Sequence, residues 1–110
     1  MNSPYSRVFN IIARRTLPAY CALYPLAAVA LQQWYAERLY QDFATFNQLK
    51  AAFPSVSLVG DDRAVFNIMG NRYRLVVRFA FAYKTIQIKW FGTHRDYDHV
   101  DVATVQYRPL

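Results

Sequence analysis

Cysteine and histidine are both scarce in this 110-residue chain. The single cysteine, Cys21, cannot form an internal disulfide, which excludes a disulfide-stapled secreted scaffold. It lies among apolar residues, so we interpret it as a packed, inert thiol and not as a catalytic nucleophile. The two histidines, His94 and His99, do not have the Cys/His spacing of a zinc site. We therefore predict no metal site and no cofactor.

The chain also lacks an uninterrupted hydrophobic run of the length that a membrane span needs, about 20 residues. Residues 17–31 are almost wholly apolar and follow Arg14 and Arg15, so they resemble a signal peptide with a cleavage site at its end. Pro18 and Pro25 interrupt this run. The favoured interpretation is two short helices in a protein core, and a secreted or membrane-anchored chain is the alternative.

Apolar and positively charged residues are abundant. Hydrophobic residues make up 55% of the chain and aromatic residues 17%, which is enough for one packed core. The length fits a single domain over residues 1–110. The net charge of +6 favours an anionic partner, such as nucleic acid, a phosphate-bearing surface or an acidic protein, but does not distinguish among them.

The N-terminal half carries the signals of a short strand and two helices. Residues 8–13 predict the strand. Thr16 is expected to cap the first helix, and Pro25 to open the second, because the first helical turn does not use the hydrogen bond that proline lacks. The second helix has a predicted buried stripe, on which the Arg38 stem lies with its charge in solvent: Leu31, Trp34, Tyr35, Arg38 and Leu39.

A third helix is predicted over residues 46–53, capped by Thr45. Residues 55–62 then carry turn chemistry. From residue 63 the apolar period changes to two, and the expected elements are a strand over 64–68, a turn at Gly70-Asn71, a strand from Tyr73, a strand over 85–91 ended by Gly92, and a helix over 94–100. This order predicts an α+β fold: helices packed on one face of a small, mostly antiparallel sheet, in the order strand, helices, three-strand meander, short terminal helix.

Positive charge is concentrated between residues 63 and 95, where the sequence has seven Lys or Arg residues and no Asp or Glu. Strand alternation predicts a basic outward face that contains Arg72, Arg74, Arg78, Lys89 and the ring of Phe91, with Ile86, Ile88 and Trp90 in the core. One interpretation is an ordinary solvated sheet face. The favoured one is a nucleic-acid platform, because cations hold phosphates and aromatic rings stack on bases.

His94 and Tyr97 follow the last predicted strand and lie on one side of a helix if that segment is helical. A histidine can act as general acid or base near neutral pH, although a structural histidine is the alternative. Beside a basic face, these groups would suffice for RNA cleavage in which the RNA 2′-OH attacks the adjacent phosphorus. The sequence has no carboxylate cluster, which argues against a Mg²⁺-dependent nuclease.

Two motifs resemble those of HigB-type toxins within the RelE-like superfamily. Residues 65–76, V-F-N-I-M-G-N-R-Y-R-L-V, are similar to the signature V-F-N-I-x-G-N-x-Y-R-L-V, and residues 92–98 resemble G-T-H-x-x-Y-D. The resemblance covers roughly residues 8–101. It implies a RelE-like fold, a cytoplasmic mRNA endonuclease that typically acts on ribosome-bound message, and a partner antitoxin of the helix-turn-helix, HigA-like kind.

The resemblance also implies roles for individual residues. Asn71 and Arg74 would lie at the active face, Lys89 would contact phosphate, and His94 and Tyr97 would perform or support proton transfer. Three further residues of the predicted basic face are expected to bind RNA: Arg72, Arg78 and Phe91.

One segment departs from the family pattern. Residues 17–31 are more apolar than is usual in the family, which favours a larger surface for the antitoxin or for self-association, or a weakened toxin. A non-catalytic RNA- or ribosome-binding module that uses the same basic face is the alternative to an endonuclease.

Overall fold

A computed structural model describes residues 8–13 and 15–107 of the chain. Nine helices and strands follow one another within these residues: β1 Asn10–Ile12, α1 Thr16–Leu23, α2 Ala28–Arg38, α3 Phe46–Ala52, β2 Ser57–Val59, β3 Arg63–Ile68, β4 Tyr73–Ala80, β5 Thr85–Thr93 and α4 His94–Tyr97. Two 3-10 turns, Pro25–Ala27 and Phe81–Tyr83, join α1 to α2 and β4 to β5. The predicted order of elements is confirmed, with β2 as an additional strand.

The apolar N-terminal run folds as two helices that break at Pro25, as predicted. Thr16, however, is the first residue of α1 and is buried, so its predicted role as the cap is wrong: Arg15 occupies the cap position and makes no side-chain cap hydrogen bond. Arg14 lies outside the described residues. No helix in the described part of the chain is both long enough and apolar enough to span a bilayer.

The buried stripe of α2 forms as predicted, with Leu31, Trp34 and Arg38 facing the core. The prediction that the Arg38 charge reaches solvent is wrong, because its side chain is only 6% exposed. Its guanidinium carbon lies 4.2 Å from the ring centroid of Phe53, and Nη2 donates to Glu37 Oε2 at 2.7 Å. Burial lowers the pKa of Arg38, and the cation–π and ionic contacts offset that cost.

The strands form one sheet in the order β1-β5-β4-β3-β2. β1 runs parallel to β5, and the other neighbours are antiparallel, so the predicted meander is confirmed. β2 was predicted as part of a turn; it is an edge strand that pairs Ser57 with Val65. Its three residues are too few to show an alternating pattern, and only the partner strand makes them a strand.

The helices pack on one face of the sheet, as predicted, and the core lies between them. Aromatic rings form much of it: Phe9 meets Phe79 edge to face at 5.8 Å, and Trp34 meets Phe66 in the same way at 5.4 Å. Thr45 accepts a hydrogen bond from the Gln48 backbone N–H at 3.2 Å and so caps α3, which confirms its predicted role.

A β-bulge in β5 reverses two predicted side-chain directions. Val77 pairs with Ile88 and Val76 with Trp90, which leaves Lys89 without a partner in the register. After the extra residue, Phe91 pairs with the core residue Leu75 and is 1% exposed, whereas Trp90 shares the outer face with Val76. The predictions that Phe91 faces outward and Trp90 inward are therefore wrong.

The outer face of the sheet, away from the helices, is partly covered by residues 101–107, which we call the C-terminal segment. Arg63 is only 1% exposed there, and its Nη1 donates to the carbonyls of Val102 at 3.1 Å and Val105 at 2.6 Å. This guanidinium is thus the main polar anchor of the segment on the sheet, since hydrogen bonds that involve a charged group are the stronger ones.

We expect Arg63→Ala to lower the free energy of unfolding by about 2–4 kcal/mol, because two carbonyls lose a charged donor and the buried site is left empty. Urea unfolding measures this loss, and faster proteolysis after residue 100 would show that the segment has detached. Arg72→Ala is the control, since Arg72 is exposed. Equal stability of the two variants would contradict the anchoring role.

Candidate active site

The corner of the sheet where β4 begins and β5 ends brings together most of the predicted site residues. His94 opens α4 directly after β5, and its backbone N–H donates to the Arg72 carbonyl at 2.9 Å. Thr93 accepts from the Asp96 backbone N–H at 3.1 Å and caps this short helix. The backbone that carries the His94 imidazole is therefore fixed by the end of β5 and by its hydrogen bond to the β3–β4 hairpin.

Asn71 and Arg74 form one hydrogen-bonded unit in this corner. Arg74 Nη1 donates to the backbone carbonyls of Asn71 at 3.3 Å and Tyr73 at 3.1 Å, and Nη2 donates to Asn71 Oδ1 at 3.4 Å. The turn between β3 and β4 makes this possible, because Met69 and Gly70 both adopt positive φ, at 56° and 65°. In the sheet, Arg74 pairs with Gly92, two residues before His94.

Trp90 is the site residue that the sequence reasoning missed. Its ring lies against Gly92, where a Cβ atom would come within 2.6 Å of two ring carbons. The ring centroid of Trp90 is 6.2 Å from that of Tyr97, so the indole connects β5 to α4. A signal was available: a glycine in a strand often marks a bulge or a close approach, whereas we interpreted Gly92 as the end of the strand.

The predicted basic face is divided into two parts. Arg72 is exposed and Arg74 half-buried at the corner with His94, whereas Arg78 pairs with Gln87, seven residues before His94 on β5 and thus roughly 20 Å away. The positively charged residues are therefore not one continuous surface around the site.

Arg78 is also ion-paired. Its guanidinium lies 3.5 Å from Asp61 and 3.7 Å from Asp62, and its Nε donates to the Asp61 carbonyl at 3.1 Å. Both aspartates have positive φ, at 62° and 58°, which bends the β2–β3 turn towards Arg78. Asp61 and Asp62 directly precede residues 63–95, the part of the sequence that has no Asp or Glu. They reach Arg78 because β3 pairs with β4.

Lys89, the bulge residue, lies between the two parts. Its Nζ donates to Gln106 Oε1 in the C-terminal segment at 3.2 Å. Burial lowers its pKa, as do the nearby charges of Arg63 and Arg78. The protein therefore holds this ammonium in a cationic, partly desolvated position, where an added anion such as a phosphate would be favourable.

The corner residues provide the groups that phosphodiester chemistry needs. His94 is exposed, Tyr97 is half-buried, and the guanidiniums of Arg72 and Arg74 belong to the same hairpin. A histidine and a phenol can carry protons, and guanidiniums stabilise charge on a phosphate. No group of three or more potential metal-ligating side chains occurs among residues 8–13 and 15–107.

Comparison with known proteins gives the class of this fold and then its family. The sheet and helices agree with the RelE-like class of toxins. The HigB toxin family, described as the RelE-like toxic component of a toxin–antitoxin system, matches residues 27–100, about two thirds of the chain. The chain belongs to this family, which confirms the predicted resemblance. No curated protein matches the chain.

The family match contains every candidate site residue, from Asn71 to Tyr97, while α1 and the C-terminal segment lie outside it. As the toxic component of a toxin–antitoxin system, the protein has an antitoxin as its partner.

We expect Gly92→Ala to displace the Trp90 ring and to lower the free energy of unfolding by about 1–3 kcal/mol, because the added methyl group has no room beneath the ring. Urea unfolding and the near-ultraviolet circular dichroism of tryptophan measure the two effects. Gly60→Ala is the matched control, since nothing lies within 4 Å of a Cβ atom there. A near-ultraviolet spectrum unchanged in Gly92→Ala would show that this glycine does not position Trp90.

Proposed function

We propose that this HigB-family toxin is a metal-independent endoribonuclease that cleaves mRNA on the ribosome. The observation that carries the proposal is the corner in which the His94 backbone N–H donates a hydrogen bond to the Arg72 carbonyl. Next to it lie the hydrogen-bonded pair Asn71–Arg74 and the neighbouring rings of Trp90 and Tyr97. In this proposal His94 is a proton carrier, the neighbouring guanidiniums bind phosphate, and the half-buried rings of Trp90 and Tyr97 offer an aromatic edge. RNA needs no protein nucleophile, because its 2′-OH supplies one.

In the proposed reaction the 2′-oxygen forms a bond to phosphorus as the bond from phosphorus to the 5′-oxygen breaks. One proton leaves the 2′-OH and one reaches the departing 5′-oxygen, and His94 and Tyr97 carry these two protons. Arg72 and Arg74 stabilise the negative charge that develops on the phosphate oxygens. The products are a 2′,3′-cyclic phosphate and a free 5′-OH.

The side chains proposed to bind RNA differ in part from those predicted from the sequence. Trp90 takes the stacking role that was expected of Phe91, because Phe91 is buried. Lys89 contacts a neighbouring phosphate on the outer face, exchanging its bond to Gln106 for the anion. Arg78 contributes less than expected, since Asp61 and Asp62 already neutralise it.

The proposed partner is a HigA-like, helix-turn-helix antitoxin that blocks the toxin in the cytoplasm. Membership of a toxin–antitoxin family supports an antitoxin as the partner. The two HigB-like motifs, at residues 65–76 and 92–98, support an antitoxin of the HigA kind. The net charge of +6 also favours an acidic segment in whichever protein binds the basic corner.

We expect induced expression of the wild type to arrest growth and to cleave a reporter mRNA, with cut sites mapped by primer extension. His94→Gln should lower cleavage at least about 100-fold, as loss of acid–base catalysis does, and Tyr97→Phe should also lower it. Tyr83→Phe is the matched control, because Tyr83 is 83% exposed in the turn after β4, far from the corner.

Each variant is compared at equal soluble abundance. Growth arrest by both wild type and His94→Gln without new cut sites would contradict cleavage and favour the alternative, a module that binds RNA or the ribosome through the same face. Cleavage by His94→Gln at the wild-type rate would remove His94 from the mechanism.

A further inference from the structure

A cavity of about 550 Å³ lies between α1, β5 and the C-terminal segment. Its size falls within the roughly 300–1,000 Å³ that is usual for small-molecule sites. Ala19 and Tyr24 contribute from α1 and the residue after it, Trp90 from β5, and Gln106 and Tyr107 from the segment. Among the residues that line it, the proposed function above gives a role to Trp90, as a stacking surface.

Aromatic rings form much of the cavity wall. Tyr20 meets Phe91 at 5.8 Å and Tyr107 at 5.5 Å, edge to face in both cases, and Tyr24 meets Phe91 at 5.7 Å. Tyr20 is buried, and its ring contact with Phe91 packs α1 against β5. The half-buried rings of Tyr24, Trp90 and Tyr107 remain as surfaces on which a flat ligand can stack.

The polar character of the cavity suits an uncharged, hydrogen-bonding ligand. Within the described part of the chain no lysine or arginine lines it, whereas His99 and Asp101 do. Both carboxylate oxygens of Asp101 already accept hydrogen bonds, from the Ala103 N–H at 3.2 Å and from Thr104 Oγ1 at 2.8 Å. Gln106 lines the cavity, and its amide nitrogen can donate to a ligand whether or not its Oε1 accepts from Lys89, as it does here at 3.2 Å. A nucleobase combines a flat aromatic surface with hydrogen-bond acceptors on its edge, whereas a free phosphate would meet the carboxylate of Asp101.

Trp90 joins the cavity to the candidate active site. The same indole lines the cavity, covers Gly92 opposite Arg74, and lies 6.2 Å from the Tyr97 ring. A nucleotide whose phosphate lies at the Arg74 corner therefore has the cavity within reach of its own base or of a neighbouring one.

We propose that this cavity is a nucleobase subsite of the RNA substrate, flanking the phosphate held at Arg72 and Arg74. The inference rests on the proposed function, since it assumes that RNA occupies the corner. One wall of the subsite is the C-terminal segment, which follows the last residue matched by the family, Val100. Base preference at this position is therefore set by residues 101–107 and not by the hairpin motif that the family shares.

The test fills the cavity from α1, away from the residues assigned to chemistry. Ala19→Phe places a ring inside the cavity, and Ala22→Phe adds the same ring to the same helix at an exposed position outside it. The probes are the four ribonucleoside 3′-monophosphates, and the signals are tryptophan fluorescence and amide chemical shifts near Trp90. Unfolding midpoints confirm that both variants are folded.

We expect at least one of the four nucleotides to bind the wild type at millimolar concentration or better. Ala19→Phe should weaken that binding about tenfold or more, which corresponds to the loss of one base-stacking contact, and Ala22→Phe should change it less than about twofold. In a cleavage assay on mixed-sequence RNA, Ala19→Phe should relax the base preference at one position beside the cut.

The outcomes separate this inference from the nuclease itself. Nucleotide binding that is sensitive to Ala19→Phe, in a wild type that does not cleave RNA, would support the subsite and overturn the proposed function. Cleavage with the same base preference in wild type and Ala19→Phe would overturn the subsite and leave the nuclease intact. Failure of all four nucleotides to bind the wild type would also overturn the subsite.

Discussion

The β-bulge at Lys89, one extra residue in β5, is the constraint on which the positions of the core and site residues depend. Because of it, Phe91 enters the aromatic core, where it stacks with Tyr73 at 5.5 Å, and Trp90 turns to the outer face. Gly92 is then required, since only a residue without a side chain leaves room for the indole. The same ring borders both the corner of His94 and the cavity beside α1, so the bulge positions the two sites relative to each other.

The positive charge that the outer face presents to a ligand depends on which elements cover or pair its cations. Arg63 is buried beneath the C-terminal segment, Arg78 is neutralised by the turn before β3, and Lys89 is held by Gln106. At the hairpin, the guanidiniums of Arg72 and Arg74 are available to a ligand, as is the exposed Arg95 beside His94. A strongly positive sequence thus becomes a small cationic corner next to the candidate proton carriers, which is more selective for one phosphate than a broad basic sheet would be.

The positions of most candidate site residues could be predicted from the sequence because these residues lie in two short motifs on adjoining strands. Asn71, Arg74, His94 and Tyr97 were each placed correctly at the hairpin and at the end of β5, since strand alternation and turn chemistry are local properties. Phe91 was misplaced because a bulge shifts every later side chain to the opposite face, and no alternating pattern reveals where it occurs. Arg38 was misplaced because Phe53, in another element, covers it.

The sequence by itself determined the α+β order of elements apart from β2, the break at Pro25, the Thr45 cap of α3, the meander, and the toxin family. These depend on neighbours within a few residues, where propensity and periodicity act directly. Only the tertiary structure decided which cations stay available, which of Trp90 and Phe91 faces the site, and that residues 101–107 close a cavity against α1. Those outcomes depend on contacts between residues 17 to 87 positions apart, as between Lys89 and Gln106 or Tyr20 and Tyr107, and no local pattern encodes such pairs.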